Sequence, residues 1–204
     1  MRLPAIAGGL RPRLADECTQ EDDMLTREQA HNARVRAREY LDKAGIALRT
    51  DEEENIEVAD FGLGEFHTIG LELVVYVNTD RVCAKELVVF PHQTCPEHRH
   101  PPVEGEPGKE ETFRCRWGTI YLYVPGPRAE LPFATAPTGH EAYYTVWHEV
   151  VLKPGDQYTL VPNTLHWFQA GPEGAIVSEF STKSRDEADI FTDPAIKRET
   201  QVVE

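Results

Sequence analysis

The side chains best suited to chemistry are two histidines in the stretch "CPEHRHPPVEGEPGKEETFRCRWG", which runs from Cys95 to Gly118. His98 and His100 are separated by a single residue, and on an extended chain residues i and i+2 lie on the same face. Both imidazoles can therefore reach one metal ion. An H-x-H pair also occurs by chance, and two neighbouring surface histidines are commoner than two ligands. The pair indicates a metal site only together with residues further along the chain.

The residues that follow this pair resemble the two motifs of the cupin superfamily. H-x-H is followed by a glutamate, six residues and a glycine, and later by "GDQYTLVPNTLH", which ends at His166. The resemblance covers residues 55–183. It implies a jelly-roll barrel whose interior holds a metal ion through three histidines and one glutamate. The histidines that it implies are His98, His100 and His166.

Three glutamates compete for the fourth ligand position. The usual cupin spacing points to Glu104, but Glu104 lies in "PPVEGEPG", where proline and glycine prevent a regular strand. A metal ligand needs the rigid placement that a strand provides. Glu111 begins the strand "ETFRCRWG" and gives the cupin E-x6-G spacing with Gly118, whereas Glu110 would point to the opposite face. We therefore predict Glu111 as the ligand and the preceding loop as an insertion; the alternative is that all three are solvated loop residues.

The third histidine, His166, follows "PNTL" and precedes the apolar pair "WF". A lone histidine in such a place is more often a core residue satisfied by a hydrogen bond. The other matched positions of the cupin pattern favour a ligand instead. Four other histidines do not belong to a recognisable ligand pattern, and we predict them to be structural. They are His67, His92, His140 and His148.

Two charged residues are predicted to enter the same cavity. Lys109 lies two residues before Glu111, so its ammonium enters the cavity if the strand extends back that far. Glu179 is the single charge in the apolar strand "AIVSEFS", and its face-mates Val177 and Ser181 are compatible with an inward direction. A carboxylate inside a barrel needs a pairing partner or an acid–base role. An ion pair with Lys109 or an arginine, or a solvated edge-strand position, is the structural alternative for Glu179.

The segments "AKELVVFPHQTCPEHRHPPVEGEPGKEETFRCRWG" and "PGDQYTLVPNTLHWFQAGPEGAIVSEFST" together resemble the D-lyxose isomerases, a family of cupin sugar isomerases. The long gap between His100 and Glu111 resembles that of the family's shorter members. The resemblance implies a ketol-isomerase that interconverts D-lyxose with D-xylulose and D-mannose with D-fructose. It implies metal ligands at His98, His100, Glu111 and His166, and an acid–base pair of Lys109 and Glu179.

The predicted ligands define the range of chemistry. Three imidazoles and one carboxylate suit Mn(II), Fe(II), Co(II), Ni(II) or Zn(II), and the family resemblance implies Mn(II). Isomerisation moves a proton between C1 and C2 through a cis-enediol, which such a cation stabilises as a Lewis acid while a carboxylate carries the carbon-bound proton. The same ligands would also serve an Fe(II)-dependent cupin dioxygenase, and a non-catalytic sugar-binding cupin is a third alternative.

The nature of the sugar follows from the charges near the predicted ligands. A phosphosugar would require a cluster of basic side chains, and the nearest pair, Arg114 and Arg116, would lie on the strand face opposite Glu111. We therefore expect a small neutral sugar. Four aromatic side chains could offer a face to it, although aromatic residues in strands more often belong to the core. These are Phe113, Trp117, Tyr121 and Trp167.

Bulk composition excludes several other classes of function. The chain has 204 residues, enough for one domain with one sizeable core, and its net charge of −14 would repel a nucleic-acid backbone. We expect no membrane partner, because no apolar stretch is long enough to span a bilayer. The four cysteines have no CxxC spacing, which favours reduced thiols in a cytoplasmic protein. By analogy with cupins that pair through edge strands, we expect a homodimer.

The elements that must position these residues can be predicted from local patterns. A helix begins at a capping box of Thr26 and Gln29 and ends near Gly45, with a narrow apolar stripe of Ala30, Val35, Ala37 and Leu41. Short β-branched and aromatic runs separated by turn signals then predict a mainly β fold, a cupin jelly-roll barrel with an N-terminal helical extension. The predicted strands are 69–77, 82–90, 112–124, 143–152, 157–161 and 175–181. The predicted units are an arm and helix over 1–54, in which 1–25 is extended, the barrel over 55–183, and a tail over 184–204 that wraps or docks.

Overall fold

The computed structural model describes residues 24–203, and within that range the chain is mainly β. The extended arm predicted over 1–25 lies outside the described residues up to residue 23. The helices are α1 (Arg27–Lys43) and α2 (Thr50–Glu54), with short 3₁₀ turns at Glu141–Tyr143 and Asp186–Ala188. The strands are β1 (Leu25–Thr26), β2 (Glu57–Ala59), β3 (Leu71–Asn78), β4 (Cys83–Val89), β5 (Thr94–Arg99), β6 (Glu111–Val124), β7 (His148–Leu152), β8 (Gln157–Leu160), β9 (His166–Ser181), β10 (Ile190–Phe191) and β11 (Val202–Val203).

The large sheet is organised around β9, its longest strand with 16 residues. Strand β9 pairs with β4, β5 and β6, all antiparallel. Hydrogen-bonded neighbours follow the order β10-β5-β9-β4-β3-β2, and β6 adds β7 and β8. The concave side of this curled sheet encloses an apolar core that includes Leu122 and Phe168. Residues that face this interior from β4, β5, β6 and β9 can therefore meet, although they are far apart in sequence.

The partnership of β6 with β9 depends on Gly118, the glycine of the predicted E-x6-G spacing. Its φ is +71°, a left-handed conformation that favours glycine. A Cβ at this position would stand 2.0 Å from the carbonyl oxygen of Gly174 on the neighbouring strand. The pairing register shifts on either side of this point. Gly118 thus allows close backbone contact at a bulge in the sheet.

Helix α1 covers the convex side of the sheet and is capped as predicted. Thr26 accepts a hydrogen bond from Gln29 N at 3.1 Å, and the Gln29 side chain accepts one from Thr26 N at 2.8 Å. The predicted stripe is wrong at Val35, which is 47% exposed. The stripe also includes two residues that the prediction omitted. The buried positions of the helix are Ala30, Ala33, Ala37, Tyr40 and Leu41.

One predicted strand is too long and another is too short. The strand predicted over 143–152 begins only at His148, since the backbone of residues 145 and 146 donates to the Glu97 carboxylate instead. The strand predicted over 175–181 extends back to His166. The segment after residue 183 docks on the barrel where β10 pairs with β5, and its end forms a separate two-stranded sheet with β1 before helix α1.

Two further expectations concern cysteines and membranes. Among the described residues, Cys83, Cys95 and Cys115 are buried free thiols; Cys18 lies outside the described range. No helix within residues 24–203 combines the length and apolarity required to cross a bilayer.

Candidate active site

Three histidines meet inside the curled sheet. His98 lies on β5 and His166 begins β9, and the two are direct partners in the pairing of these strands. His100 follows immediately after the end of β5. Their ligand-type atoms all lie within 4.8 Å of one another, and all three side chains are buried. This cluster could hold a metal ion.

The histidine rings are oriented by their Nδ1 atoms. Nδ1 of His98 lies 2.8 Å from the carbonyl oxygen of Pro96, and Nδ1 of His166 lies 2.9 Å from that of Thr164. A carbonyl oxygen can only accept, so in both rings Nδ1 carries a hydrogen and Nε2 is the atom that faces the cluster. Burial, followed by the neighbouring imidazoles, holds the pKa of His98 well below its usual range. This imidazole is therefore neutral, as a metal ligand must be.

Glu111, the first residue of β6, lies beside these rings and is 1% exposed. Its Oε1 lies 3.0 Å from His100 Nε2 and 3.2 Å from His166 Nε2. Burial raises the pKa of this carboxyl, but the Lys109 ammonium and His100 outweigh it and bring the pKa well below its usual range. Glu111 Oε2 is paired with the Lys109 ammonium at 2.9 Å, whereas the buried His166 Nε2 makes no hydrogen bond. A buried polar atom without a hydrogen bond is costly, and a cation bound among these side chains would give His166 Nε2 a partner.

The other two glutamates lie outside this cluster. Glu104 is exposed at the tip of a two-residue hairpin turn, where it and Gly105 have φ values of +52° and +83°. Two successive positive φ angles are typical of a type I′ turn. Glu110 is also exposed, and its backbone bonds to Thr182 at the sheet surface. The predicted insertion before Glu111 is therefore this hairpin.

Lys109 enters the cavity although β6 begins only at Glu111, so the strand does not extend back to it. Its Nζ lies 2.9 Å from Glu111 Oε2 and 3.0 Å from Glu179 Oε1. The preceding Gly108 explains this path, since a Cβ there would stand 1.9 Å from the carbonyl oxygen of His100. Burial lowers the pKa of Lys109, but the carboxylates of Glu111 and Glu179 outweigh it and raise that pKa well above its usual range.

Glu179 points into the barrel, as its face-mates predict, and is 3% exposed. It lies opposite Lys85 on β4 and Phe113 on β6, so it belongs to a central strand and not to a solvated edge. The Ser181 hydroxyl donates to Glu179 Oε1 at 3.0 Å. The ion pair with Lys109 that formed the other structural alternative is present.

Four charged residues of the cavity were missed by the sequence predictions. Lys85 lies in the mainly apolar strand β4. The other three, Asp186, Asp189 and Arg198, lie in the C-terminal segment. Asp186 accepts from Lys85 Nζ at 2.6 Å and from Arg198 Nη2 at 3.2 Å. Asp189 Oδ1 lies 2.5 Å from His100 Nδ1. The sequence signal for Asp186 and Asp189 was the acid-rich run "RDEAD". Without knowledge of the fold, such a run is interpreted as part of a solvated tail.

The cavity is partly open to solvent and, together with the open space at its mouth, comprises about 420 Å³ that no atom fills. Of the four aromatic residues considered as sugar platforms, only Phe113 lines it. Trp117 packs edge-on against Tyr40 of α1, and Trp167 stacks on Tyr123 in a separate core cluster. None of the four histidines predicted to be structural lines the cavity. The remaining aromatic lining comes from Phe61, Phe168 and Phe191.

Two solved L-ribose isomerases share this architecture. The L-ribose isomerase of Acinetobacter sp. DL28, solved in complex with L-ribose, has a TM-score of 0.75 over 89% of this chain and 99% of its own, at 17% identity. The L-ribose isomerase of Cellulomonas parahominis has a TM-score of 0.74 over 89% and 100% of the two chains, also at 17% identity. The shared fold is the cupin-type β barrel that the sequence predicts.

Sequence relatives narrow this class to a family. The family described as D-lyxose isomerase matches residues 49–204. The D-lyxose/D-mannose isomerase of Thermosediminibacter oceani is 65% identical over 86% of this chain and 97% of its own length. The D-lyxose ketol-isomerase of a Thermofilum species is 62% identical over 88% and 100%, respectively. This chain belongs to the D-lyxose isomerase family.

Family membership confirms the predicted class of enzyme. The chain is a ketol-isomerase, which interconverts an aldose with a ketose by moving hydrogen within one molecule. The two alternatives, an Fe(II)-dependent dioxygenase and a non-catalytic sugar-binding protein, do not agree with this membership.

Proposed function

We propose that this enzyme interconverts D-lyxose with D-xylulose and D-mannose with D-fructose, using a metal ion held by His98, His100, Glu111 and His166. The observation that carries the proposal is one cavity whose lining combines His98 and His100 of the histidine cluster with the inward carboxylate of Glu179. The names of the relatives from T. oceani and Thermofilum support these substrates.

The residues of the cluster fit a divalent ion. Their donors are imidazole nitrogens and a carboxylate, without thiolate, which suits Mn(II), Fe(II), Co(II), Ni(II) or Zn(II). We propose Mn(II) as the ion that the enzyme uses. When bound, such an ion supplies Lewis acidity, which polarises two adjacent sugar oxygens and stabilises negative charge on them. The buried His166 Nε2, which makes no hydrogen bond, supports this assignment.

Glu179 is the group that carries the proton between carbons. Its carboxylate accepts the hydrogen of C2 from the aldose as a proton, which leaves the cis-enediol as its monoanion, and then donates that proton to C1 to give the ketose. The hydroxyl proton of O2 moves to O1, so the reaction needs no external oxidant or acid. General acid–base catalysis of this kind accelerates a reaction about 10²- to 10⁴-fold.

Lys109 supports this transfer as a cation. Because the adjacent carboxylates raise its pKa, its amine is protonated at neutral pH and cannot act as the base. Its ammonium lies 3.0 Å from Glu179 Oε1 and 2.9 Å from Glu111 Oε2. From this position it holds Glu179 in place and can donate a hydrogen bond to a sugar oxygen as charge develops there.

The charge pattern of the cavity favours a neutral sugar. Lys85, Lys109 and Arg198 line the cavity, and each lies 2.5–2.9 Å from a carboxylate oxygen. A sugar phosphate would have to compete with these carboxylates for the cations and would be repelled by them. Hydroxyl groups, in contrast, can add to the network as donors and acceptors without changing its charge.

The enzyme is proposed to be a cytoplasmic homodimer. Buried free thiols at Cys83, Cys95 and Cys115 agree with a reducing compartment. Apolar side chains are exposed on neighbouring strands, where Val77 on β3 and Phe180 on β9 both flank Ala84 on β4. Such exposed apolar groups favour contact with a second subunit. Light scattering coupled to gel filtration measures the mass, and a monomer at micromolar concentration would contradict the dimer.

A screen of sugars tests the proposed function. Metal-stripped enzyme is incubated with aldoses and ketoses of four to six carbons, with and without added Mn(II), Fe(II), Co(II), Ni(II) or Zn(II), while oxygen uptake is recorded. We expect Mn(II)-dependent conversion of D-lyxose and D-mannose with no oxygen consumption. Turnover of other sugars alone would overturn the substrate assignment, and oxygen uptake with Fe(II) would support a dioxygenase.

A further inference from the structure

The C-terminal segment places a carboxylate directly behind one of the proposed metal ligands. Asp189 precedes β10, whose residues Ile190 and Phe191 pair with Arg99 and His98 of β5. This antiparallel pairing brings Asp189 beside His100. Asp189 Oδ1 lies 2.5 Å from His100 Nδ1, and its side chain is 6% exposed.

His100 differs in this respect from the other two histidines. His98 and His166 each donate Nδ1–H to a backbone carbonyl two residues earlier in their own segment. His100 relies on a side chain 89 residues away in sequence. Its ring orientation therefore depends on tertiary docking of the C-terminal segment, and a single substitution can remove the acceptor.

We propose that Asp189 is a positioning residue of the metal centre. It accepts the Nδ1–H of His100 and fixes the ring so that Nε2 faces Glu111, 3.0 Å away, and the other two histidines. This inference rests on the proposed function, since it takes His100 to be a metal ligand. A carboxylate behind a ligating imidazole fixes its tautomer and raises its basicity, and its loss typically weakens metal binding about 10- to 100-fold.

The surroundings of Asp189 keep it in this position. Phe191 packs with its ring centroid 5.4 Å from that of His98 and 5.6 Å from that of Phe61. Thr192 N donates to Glu97 O at 3.0 Å, which continues the contact with β5. The residues that follow Asp189 are thus held against β5, so the carboxylate has little freedom to move away from His100.

The test measures Mn(II) affinity directly, by chelator competition and by calorimetry. Asp189→Ala removes the acceptor, Asp189→Leu removes it while filling the space, and Asp189→Asn keeps an acceptor oxygen without the charge. The matched control is Asp193→Asn, because Asp193 is a buried acid of the same segment that bonds to His140 instead, at 2.7 Å. Thermal unfolding of each metal-free variant establishes that it is folded.

We expect Asp189→Ala and Asp189→Leu to weaken Mn(II) binding about 10- to 100-fold, Asp189→Asn to recover part of that loss, and Asp193→Asn to bind as the wild type does. Mn(II) affinity equal to that of the wild type in whichever of the Ala and Leu variants folds would overturn the positioning role. Failure of the proposed function gives a different result. In that case the wild-type enzyme would not bind Mn(II) stoichiometrically, or Glu111→Gln would not abolish the binding.

Discussion

The ammonium of Lys109 and the carboxylate of Glu179 form a buried ion pair, with 3.0 Å between Nζ and Oε1 across 70 residues of sequence. This one geometry is compatible with a structural ion pair and with an acid–base pair. A substitution that removes only one of these roles distinguishes the two interpretations. Loss of an ion pair lowers the stability of the fold, whereas loss of a base lowers turnover.

Replacement of Glu179 by glutamine tests the proton carrier. The amide keeps the shape and can still accept from Lys109, which also retains Glu111 at 2.9 Å, so fold and metal content should survive. We expect kcat to fall about 10²-fold or more, the scale of general acid–base catalysis, with little change in sugar binding. Isomerisation assays, metal analysis and thermal unfolding measure the three quantities.

The control for this variant is Ser181→Ala, which removes the hydroxyl that donates to the same oxygen of Glu179 but leaves the base. Its kcat should stay within about an order of magnitude of the wild type. Deuterium incorporation at the sugar C2 from heavy water gives an independent measure of proton transfer. A Glu179→Gln enzyme that unfolds early but isomerises normally when folded would remove Glu179 from the mechanism.

Removal of the metal should abolish turnover and leave the barrel folded. The core inside the sheet, which includes Phe113, Leu122 and Phe168, is apolar and does not depend on one ion for its burial free energy. We expect added Mn(II) to restore at least part of the activity. Circular dichroism and isomerisation assays on chelator-treated enzyme measure both effects, and full activity in a verified metal-free sample would rule out the proposed site.

Metal retention should depend on Glu111 and not on the glutamates of the preceding hairpin. Glu111→Gln replaces an ionised, buried oxygen ligand by a neutral amide, which we expect to weaken Mn(II) binding at least about 10-fold. Glu104→Gln and Glu110→Gln alter exposed side chains and serve as matched controls. If Glu104→Gln proves the more damaging change in metal titrations, the assignment of the insertion is wrong.

A pH dependence is expected where the C-terminal segment meets the loop before β7. Burial lowers the pKa of His140, but its hydrogen bond to Asp193 and the charge of Glu65 outweigh it and raise that pKa above the ordinary value of 6.5. A histidine with a raised folded-state pKa stabilises the fold fully below its unfolded pKa and loses this effect as the pH rises through the folded value.

The melting temperature of metal-loaded wild type should therefore exceed that of metal-loaded His140→Gln most at mildly acidic pH. The difference should shrink as the pH rises from 6.5 through the raised pKa. Metal-loaded protein is used so that the histidines of the proposed site do not titrate over this range. A difference that stays constant with pH would show that the His140–Asp193 contact does not act through charge.

Helix α1 shows what local patterns determine and what they leave open. Thr26 and Gln29 predicted the helix start, because the capping box is a contact between residues three apart. The side that the helix buries was predicted less well, since Val35 is exposed and Tyr40 is buried. The orientation of a helix about its axis is decided by the sheet on which it packs, and that surface is assembled from distant strands.

The sequence by itself determined the strand character of the barrel and the common face of His98 and His100, because alternation along a strand fixes which side chains share a face. The resemblance to the cupin motifs added Glu111 and His166, which strand pairing brings close to them. Their role as ligands is still a prediction. Only the tertiary structure placed Lys85, Asp186, Asp189 and Arg198 in the cavity. Lys85 is placed by the pairing of β4 with β9 and Asp189 by that of β10 with β5, while ion pairs join Asp186 to Lys85 and to Arg198. Such contacts depend on the packing of the whole chain, and no local periodicity encodes them.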